Sequence, residues 1–421
     1  MKFQAPKGTH DILPANAAAW QRLESIVRTA MQRFGYEEIR TPIFEDTALF
    51  ARSVGETTDI VKKEMYTFAD RKGRSLTLRP EGTAPVARAF VEHHLGRGHD
   101  LVKLFYMGPM FRYERPQAGR FRQFHQFGAE AIGSADPAVD VDVIILFCRV
   151  LEAAGISGVS VSLNSVGDAT CRPARIEAIR AALLPHRADL CADCQDRLDR
   201  NPLRILDCKV PKCREIAASI PTGLEYLCEA CREHLSRVDA GLSEAGIAHR
   251  VDTSIVRGLD YYTRTAFEIH HGALGAQSAL GGGGRYDGLI GDVGGAATPG
   301  IGFAAGMERI LTVLGEGARA PGPLAVFVPL GDAEEAVARR LMYETRRFAH
   351  AEIAAGAGGL AKKLRAADQM RARFAVIIGD EERARGEVLL KEMSGGEQSR
   401  LAEAMLLETL RARGEETREE E

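Results

Sequence analysis

Residues 112–130 read RYERPQAGRFRQFHQFGAE, and this stretch decides the fold. It holds four arginines and three phenylalanines in a chain whose formal net charge is −3. A solvated loop would explain the charges but not the phenylalanines, and a core strand would explain the rings but not the charges. Together with LVKLFYMGPMFR at 101–112, the stretch predicts two antiparallel strands joined by the loop ERPQAG at 114–119.

Strand alternation divides these side chains between two faces. Successive side chains of a β-strand point to opposite faces, so residues two apart share a face. Counting from Arg120, one face carries Arg120, Arg122, Phe124, Gln126, Gly128 and Glu130. Arginine suits phosphate because its planar guanidinium forms paired, charge-assisted hydrogen bonds. The pattern therefore fits either a floor for a ligand with phosphates, a planar base and a cationic group, or an amphipathic surface hairpin.

Length and composition limit the possible classes of protein. A chain of 421 residues is too long for one compact core and predicts two or three domains. The slightly acidic balance means that any polyanion must bind at a local basic site. The N-terminus lacks an apolar leader, and the longest apolar run, VIILFC at 143–148, is too short to span a bilayer. We expect a cytoplasmic protein with no membrane association.

Shifts in composition divide the chain into segments. Residues 1–169 and 251–322 carry mixed strand and helix patterns, and we expect them to form one core. Residues 170–250 have a helical pattern rich in Arg, Asp, Glu and Cys, which predicts an inserted helical domain. Strands alternate with helices over 323–413, which predicts a small α/β domain. The acidic end, 414–421, is expected to be a disordered tail.

The glycine-rich segments do not form a known phosphate-binding loop. No lysine is followed by serine or threonine, so the P-loop pattern is absent. We interpret the glycine run 281–284 as part of a turn, and GIGFAAG at 300–306 as small residues that let a strand and a helix pack closely. If the chain binds ATP, it does so on the floor of a sheet.

Several long motifs occur in an order that resembles one enzyme family. They are PKGTHDILP, TLRPEGTAPVARA, GPMFRYERPQAGRFRQFHQFGAEAIG, VRGLDYYTRTAFEI, GGGGRYDGL and PGIGFAAGMERI. The sequence resembles the class II aminoacyl-tRNA synthetases, and within them the histidyl-tRNA synthetase family, almost from end to end. The resemblance implies an α+β fold: a catalytic core with an antiparallel sheet, a helical insertion domain and a C-terminal α/β anticodon-binding domain.

The resemblance implies which residues bind ATP, which would enter as its Mg²⁺ complex. EIRTPIFE resembles motif 1 of the class II enzymes, FRYER through GAE resembles motif 2, and GIGFAAGMER resembles motif 3. The residues implied at ATP are Arg112, Glu114, Arg120, Phe124 and Arg309. Phe124 would stack on the adenine, and Arg112 would contact the α-phosphate. Arg257 would hold that phosphate where other class II enzymes place a metal ion, so Arg112 and Arg257 are the implied catalytic residues.

The resemblance also implies a histidine site, a tRNA contact and a homodimer. The residues implied at histidine are Glu81, Thr83, Gln126, Glu130, Arg257, Tyr262 and Tyr286. The first three would bind the α-amino group, Glu130 and Tyr262 would recognise the imidazole, and Tyr286 would line the pocket. Arg115 and Gln117 are candidates for the tRNA acceptor end, and Pro42 would lie at the dimer interface.

The function implied is the ATP-dependent ligation of L-histidine to tRNA(His) through histidyl-adenylate, with release of AMP and pyrophosphate. One alternative is the non-catalytic regulatory subunit of the ATP phosphoribosyltransferase of histidine biosynthesis. That paralogue typically lacks the C-terminal domain and loses catalytic arginines, whereas 323–413, Arg112, Arg257 and Arg309 are present here. A zinc-dependent RNA-binding module would leave the residues implied at ATP unexplained.

Six of the eight cysteines lie between 191 and 231. They are spaced as Cys191-x2-Cys194, Cys208-x4-Cys213 and Cys228-x2-Cys231. Two CxxC pairs that bracket a third pair can supply a tetrahedral zinc site, although the intervening stretch is longer than in a zinc ribbon. Structural zinc and reduced core thiols both remain open, and no metal ligand is assigned.

Overall fold

The structure is a computed structural model in which the chain forms two compact units, Met1–Ala318 and Arg319–Glu421. It describes residues 3–55, 58–116, 119–206, 208, 210–220, 224–255, 259–277, 279–315, 322–354, 356 and 358–420. Among these residues no helix is long and apolar enough to cross a membrane.

The first unit is built around an eight-stranded, mainly antiparallel sheet. Its strands and those of a small three-stranded sheet are β1 (Glu37–Glu38), β2 (Phe44–Asp46), β3 (Tyr66–Ala69), β4 (Ser75–Leu78), β5 (Val102–Phe111), β6 (Gln123–Ile132), β7 (Ser160–Ser165), β8 (His249–Val251), β9 (Thr263–His270), β10 (Ala279–Arg285) and β11 (Gly300–Gly306). The large sheet has the order β1-β5-β6-β11-β10-β9-β7-β8, and the small one β2-β4-β3.

Within the described part of this unit, ten α-helices accompany these strands. They are α1 (Pro14–Arg33), α2 (Thr47–Val54), α3 (Thr83–Glu92), α4 (Pro137–Ala153), α5 (Arg172–Leu183), α6 (Ala192–Arg200), α7 (Pro211–Ser219), α8 (Glu229–Glu244), α9 (Leu289–Asp292) and α10 (Met307–Leu314). Short 3-10 helices lie at Leu184–Asp189, Pro202–Ile205, Leu224–Tyr226 and Gly272–Gln277, and a π-helical turn at Ile60–Glu64.

The predicted strand pair is confirmed as β5 and β6. The two strands run antiparallel over their full length, with Met110 opposite Phe124 and Gly108 opposite Gln126. One face of the sheet packs against α1 and α4 in the largest apolar cluster, which includes Phe127 of β6. Phe147 of α4 stacks on a ring of β11, Phe303, at 4.6 Å between centroids. The opposite face carries a second apolar cluster, and the partly buried ring of Phe124 packs against it. The candidate site lies on this face.

The glycine run 281–284 is not a turn, so that interpretation was wrong. It lies in β10, between β9 and β11 in the middle of the sheet. A Cβ on Gly283 would lie 1.9 Å from the carbonyl oxygen of Gly302, and one on Gly281 would lie 2.5 Å from that of Ala304. The strand needs glycine because the neighbouring backbones approach too closely for side chains. GIGFAAG, as expected, is a tightly packed strand, β11, that leads into α10.

The segment between β7 and β8 is helical, as the sequence predicts. It contains α5 to α8, and its middle part has an apolar cluster of its own that includes Leu198, Ile205 and Ile216. Helix α8 returns to pack on α4, where His234 Nε2 lies 3.0 Å from Asp140 Oδ1. The helical segment is therefore anchored to the core by a buried polar contact as well as by apolar packing.

The second unit is an α/β sheet with helices, as predicted for 323–413. Its strands are β12 (Ala325–Pro329), β13 (Ala351–Ile353), β14 (Phe374–Ile378), β15 (Glu387–Glu392) and β16 (Gln398–Ala402), in the order β13-β12-β14-β15-β16. Its helices are α11 (Asp332–Thr345), α12 (Leu360–Gln369), α13 (Asp380–Arg385) and α14 (Glu403–Glu420). The end of the chain was expected to be a disordered tail from 414, but the backbone of α14 continues to Glu420.

Candidate active site

A cavity of about 920 Å³ lies on the face of the large sheet that is turned away from α1 and α4. Its floor includes side chains of β6 and backbone of β10, and further residues come from α3, α10 and the loop after β5. It brings together nine of the residues implied at ATP or histidine: Glu81, Thr83, Arg112, Glu114, Arg120, Phe124, Gln126, Tyr262 and Arg309. The antiparallel strands thus assemble residues that are more than two hundred positions apart in sequence.

Three arginines form one wall of the cavity. Arg112 Nε donates to the carbonyl oxygen of Pro80 at 2.8 Å, which fixes the direction of its side chain. Arg120 Nη1 lies 3.1 Å from Glu114 Oε2, and Arg112 Nη1 lies 3.9 Å from Glu114 Oε1. The pKa of Arg309 is lowered by burial and by the positive charge of Arg120. Like charges held together beside one cavity favour binding of a polyanion such as a triphosphate.

An aromatic ring follows the arginines along the floor. Phe124 of β6 lines the cavity, and its ring centroid lies 5.4 Å from the guanidinium carbon of Arg112. Gly281 and Gly282 of β10 line the same space and carry no side chain there. A flat ring beside side-chain-free backbone leaves room for a planar base to lie on the sheet.

The predicted alternation holds within β6 but fails just before it. Phe124 and Gln126 line the cavity as the count predicts. Arg122 does not: its guanidinium carbon lies 3.8 Å above the Tyr113 ring, while Phe121 lines the cavity instead. The reason is that β6 begins at Gln123, so residues before it are not bound by strand geometry.

Glu308 connects β6 to α10 beneath this floor. Its carboxylate accepts hydrogen bonds from the backbone N–H of His125 at 2.8 and 3.0 Å and lies 3.1 Å from His125 Nδ1. Because Glu308 precedes Arg309 on α10, this contact fixes the start of the helix against β6. The structure thereby positions Arg309 next to the residues of motif 2.

The inner end of the cavity is acidic and polar. Glu81 accepts hydrogen bonds from the backbone N–H groups of Thr83 at 2.7 Å and Ala84 at 2.9 Å, which caps α3. The hydroxyls of Thr83 and Tyr286 donate to the two oxygens of Glu130, each at 2.7 Å. Glu130 and Tyr286 are fully buried and do not line the cavity. They lie directly behind its wall, where Glu130 is bonded to Thr83, a residue that does line it.

Burial shifts the protonation of both carboxyl groups. Burial raises the pKa of Glu130 to about 8, against the opposing effect of the hydrogen bonds from Thr83 and Tyr286. The pKa of Glu81 is also raised by burial, and its two backbone hydrogen bonds oppose the shift. The charge of Glu81 also raises the pKa of Glu130, and a positively charged ligand would relieve this repulsion.

Two polar groups of the site have no protein partner among the described residues. The Oε1 of Gln126 and the hydroxyl of Tyr261 are buried, and neither forms a hydrogen bond. Both residues line the cavity. Since an unpaired buried polar group costs about 1–3 kcal/mol, such groups favour a ligand that can pair with them. From the sequence, the adjacent Tyr262 was predicted to belong to the site and Tyr261 was not.

Besides Glu130 and Tyr286, four residues implied by the resemblance are not among the described residues that line the cavity. Arg257 and Gln117 lie outside the described residues. Arg115 is exposed and does not line the cavity. Pro42 is exposed at the surface between β1 and β2. Their implied roles at the phosphate, the tRNA and the dimer interface therefore stay predictions.

The helical segment also contributes to the cavity, which the sequence did not reveal. Arg197 and Arg204 line it, and both contact Asp59 at the opposite side, at 3.0 and 3.7 Å. Cys191 and Cys208 lie in the same wall. No local pattern could have identified these residues, because they reach the cavity only through the return of the segment toward the core.

Comparison with known proteins decides the family. The family model described as Histidyl-tRNA synthetase matches residues 8–310. The chain belongs to the histidyl-tRNA synthetase family. A second model, described as Anticodon binding domain, matches residues 325–413, which is the second unit apart from its ends. The family and the α+β fold predicted from the sequence are thereby confirmed.

The relatives in this family match nearly end to end. The chain is 50% identical over 416 residues to the histidine–tRNA ligase of Desulforamulus reducens, covering 97% of this chain and 99% of that one. It is 50% identical over 419 residues to the enzyme of the same name from Moorella thermoacetica, covering 98% of both. The solved structure of apo histidyl-tRNA synthetase from S. aureus is similar with a TM-score of 0.82 and 36% identity, covering 97% of this chain and all of that one.

Proposed function

We propose that this chain ligates L-histidine to tRNA(His) in two steps, of which the first consumes ATP. In the first, a carboxylate oxygen of histidine bonds to the α-phosphorus of ATP, and pyrophosphate leaves with the electrons of the broken P–O bond. In the second, a ribose hydroxyl at the end of the tRNA takes the histidyl group, and AMP leaves. The observation that carries the proposal is a single cavity with an arginine wall, an aromatic floor and a buried carboxyl end.

The arginine wall supplies what the first step needs. Negative charge builds up on the phosphates as pyrophosphate departs, and preorganised cations stabilise it with little covalent chemistry from the protein. Arg112 and Arg120 lie beside Phe124 in the cavity, where a nucleotide that stacks on the ring would present its α-phosphate. Arg309, on α10, extends the wall toward the outer phosphates of ATP bound as its Mg²⁺ complex. Holding both reactants in line supplies the rest of the rate enhancement.

The carboxyl end supplies the selectivity for histidine. Glu81 and the unpaired Oε1 of Gln126 are acceptors for the α-ammonium group. Glu130, held by Thr83 and Tyr286, lies behind the surface where the imidazole would be bound, with Tyr262 in the cavity wall. A site built for hydrogen bonds to a side chain rejects those that lack them, because its own buried polar groups would stay unpaired.

The remaining roles follow from the resemblance and are part of the proposal. Arg257 holds the α-phosphate together with Arg112. Arg115 and Gln117 contact the acceptor end of the tRNA. Pro42 lies at the interface of a homodimer. The helical segment at 170–250 reaches toward the acceptor stem, the second unit binds the anticodon, and the reaction takes place in the cytoplasm.

The regulatory-subunit alternative has weaker support. A solved Bacillus halodurans structure whose title combines an ATP phosphoribosyltransferase regulatory subunit with histidyl-tRNA synthetase is similar with a TM-score of 0.66, but at 20% identity it shows the fold alone. The enzyme relatives are about 50% identical and cover nearly the whole chain, including the second unit. Arg112 and Arg309 are both present in the cavity wall.

Charging of tRNA tests the complete reaction. The protein should attach labelled L-histidine to tRNA(His) in the presence of ATP and Mg²⁺, and the product should be acid-stable but lost in mild base, as expected of an ester. A tRNA with a different anticodon and acceptor end serves as the control and should stay uncharged. Absence of charging with histidine, or equal charging of both tRNAs, would contradict the proposal.

A further inference from the structure

The helical segment gathers its cysteines into two compact clusters. In the first cluster, the Sγ atoms of Cys191, Cys194, Cys208 and Cys213 all lie within 4.8 Å of one another. In the second cluster, a carboxylate oxygen of Asp168 lies within the same distance of the Sγ atoms of Cys171, Cys228 and Cys231, which are likewise close together. The two CxxC pairs therefore do not share a site. We propose that each cluster binds one structural zinc ion.

The distances between sulfur atoms fit metal coordination and not disulfides. All eight cysteines are free thiols in this structure. Cys191 Sγ lies 4.0 Å from Cys208 Sγ, and Cys171 Sγ lies 3.8 Å from Cys231 Sγ. A disulfide brings its sulfurs to about 2.0 Å. Tetrahedral zinc with Zn–S bonds of about 2.3 Å places its sulfurs about 3.8 Å apart, close to the separations observed.

Both clusters use the same local architecture. Cys191 is the N-cap of α6 and Cys194 lies in its first turn, while Cys228 is the N-cap of α8 and Cys231 lies in its first turn. The spacing of three residues brings both sulfurs of a pair to the start of one helix. The start of each helix therefore offers two sulfur ligands to one metal ion.

The second half of each cluster comes from another part of the chain. In the first cluster, Cys208 and Cys213 come from the loop before α7 and from α7 itself. In the second, Asp168 and Cys171 lie just before α5, again three residues apart. Their side chains converge on the second CxxC pair: Cys228 Sγ lies 3.8 Å from both oxygens of Asp168. An oxygen and three sulfurs are an acceptable donor set for zinc.

Contacts around the ligands orient them as in other metal sites. The backbone N–H of Cys191 donates to Cys213 Sγ at 3.2 Å, and that of Asp168 donates to Cys171 Sγ at 3.4 Å. Arg264 Nη2 lies 3.5 Å from Asp168 Oδ2, and the backbone N–H groups of Thr170 and Cys171 donate to Asp168 Oδ1 at 3.0 and 3.3 Å. Such outer contacts fix ligand atoms and disperse their negative charge.

The convergence of buried sulfur atoms on one point argues against ordinary core thiols. Cys194, Cys213 and Cys231 are fully buried, and the first cluster is surrounded by apolar residues of its segment. Thiols that serve only as small apolar side chains have no reason to converge four at a time on one point. Four protein ligands leave no open position for substrate, so both sites are structural. Sulfur-rich tetrahedral sites prefer zinc among the common metals.

The first cluster stands beside the candidate active site. Cys191 and Cys208 line the cavity, and the chain between them carries Arg197 and Arg204, which contact Asp59 across it. A zinc ion in this cluster fixes the loop before α7 against the start of α6, and so holds this wall of the cavity in place. The metal would contribute to the fold without contacting the reacting atoms.

Metal analysis of the full chain tests the proposal directly. The protein is purified without chelator and desalted, and its metal content is measured by inductively coupled plasma mass spectrometry. We expect about two zinc ions per chain. Growth with cobalt should give a protein with the intense thiolate-to-metal absorption and the visible bands of tetrahedral cobalt. The measurement needs no substrate, so its outcome is independent of whether the chain ligates histidine.

Variants assign each ion to its cluster. Cys194→Ser should lower the content to about one zinc per chain, and Cys231→Ser should do the same by emptying the second cluster. Cys148→Ser is the matched control, because Cys148 is a buried free thiol of α4 that belongs to neither cluster. Its zinc content should equal that of the parent protein.

The proposal has clear contradicting results. Protein without zinc, protein with iron in its place, or a disulfide between the cluster cysteines would overturn it, and these results require no variant to fold. If Cys194→Ser loses zinc but Cys231→Ser does not, the first site stands and the second is refuted; the reverse result refutes the first. Equal loss in Cys148→Ser would refute the assignment to the clusters.

Discussion

At the scale of single residues, we expect the first reaction step to depend on Arg112. It lines the cavity, donates to the carbonyl of Pro80 and lies beside the Phe124 ring. Arg112→Lys keeps the charge but loses the planar fork that binds phosphate in two places. Loss of one such transition-state contact costs about 10²–10³-fold in rate. We expect a loss of that size in histidine-dependent ATP–pyrophosphate exchange.

A second arginine of the same loop is the control for this prediction. Arg122 stacks on Tyr113 and does not line the cavity. Arg122→Lys should leave the exchange rate close to that of the parent protein. Equal losses of exchange rate in Arg112→Lys and Arg122→Lys would show that both arginines only stabilise the loop and that Arg112 does not bind phosphate.

Gln126 should contribute to the binding of histidine more than to folding. Its Oε1 is buried without a partner among the described residues. Gln126→Met removes this acceptor at similar volume, so the KM for histidine in exchange should rise about tenfold or more. The unfolding midpoint without histidine should not fall, since an unpaired polar group is removed. Gln123→Met is the control, because Gln123 lies in the same strand but outside the cavity, and its KM for histidine should stay unchanged. An unchanged KM in Gln126→Met would contradict the assignment of Gln126 to the histidine site.

Glu130 should make stability depend on pH. Burial raises its pKa to about 8 in the folded protein from an ordinary value of 4.5. Between these values the folded state holds a proton that the unfolded state has lost, so the contribution of this group to stability is present below about pH 4.5 and is lost as pH rises toward about 8. Glu130→Gln cannot titrate and should lack this dependence.

Urea unfolding at several pH values measures this effect. The free energy of unfolding of Glu130→Gln minus that of the parent protein should increase as pH rises from about 5 to about 8, because only the parent loses stability over this range. Glu92→Gln, at an exposed side chain paired with Arg88, is the control and should show no such trend. A difference that does not vary with pH would mean that Glu130 is ionised in the folded protein at neutral pH.

Strand alternation predicted individual side chains of the cavity only inside a strand. Alternation placed Phe124 and Gln126 correctly because both lie within β6. The rule failed at Phe121 and Arg122, which precede the strand. Tyr261 could not be distinguished from Tyr262, because the bend before β9 lets both neighbours line the cavity.

At the scale of elements, a buried ionic network joins β10, α4 and α8. Arg285 is fully buried, contacts Asp140 through two nitrogens and donates to the carbonyl oxygen of Ser134 at 2.8 Å. His234 Nε2 lies 3.0 Å from the same aspartate. The network places α8, the last helix of the inserted segment, against the core, and its loss would leave a buried charge without its main partner.

Asp140→Asn should therefore be strongly destabilising. Removal of one partner from a buried ion pair costs about 3–5 kcal/mol. Asp142→Asn, in the same helix, breaks a half-exposed pair with Lys103 at 2.9 Å and should cost at most about 1 kcal/mol. The free energy of unfolding in urea measures both. Similar losses in the two variants would show that the network contributes no more than a surface pair.

Elements were predictable where sequence and packing agree. Helix α4 is an example, because Asp136 caps it, Pro137 begins it and its apolar residues face the core. The strand β10 was missed because glycine disfavours strands on its own. It forms because β9 and β11 pair with it on both sides, a cause that lies outside the segment.

At the scale of the whole molecule, the order of motifs carries most of the information. It predicted the family, the α+β core and the second unit, which the comparisons confirm. It could not reveal that the helical segment returns to line the cavity with Arg197 and Arg204, or that its cysteines separate into two clusters. Those features depend on contacts between distant parts of the chain, which no local pattern records.

The central claim is that the cavity activates histidine with ATP. ATP–pyrophosphate exchange tests it most directly, because only reversible formation of histidyl-adenylate carries label from pyrophosphate into ATP. We predict exchange that requires L-histidine, is absent with other amino acids and needs no tRNA. Absence of exchange in a folded protein that binds histidine would contradict the account and favour a regulatory protein.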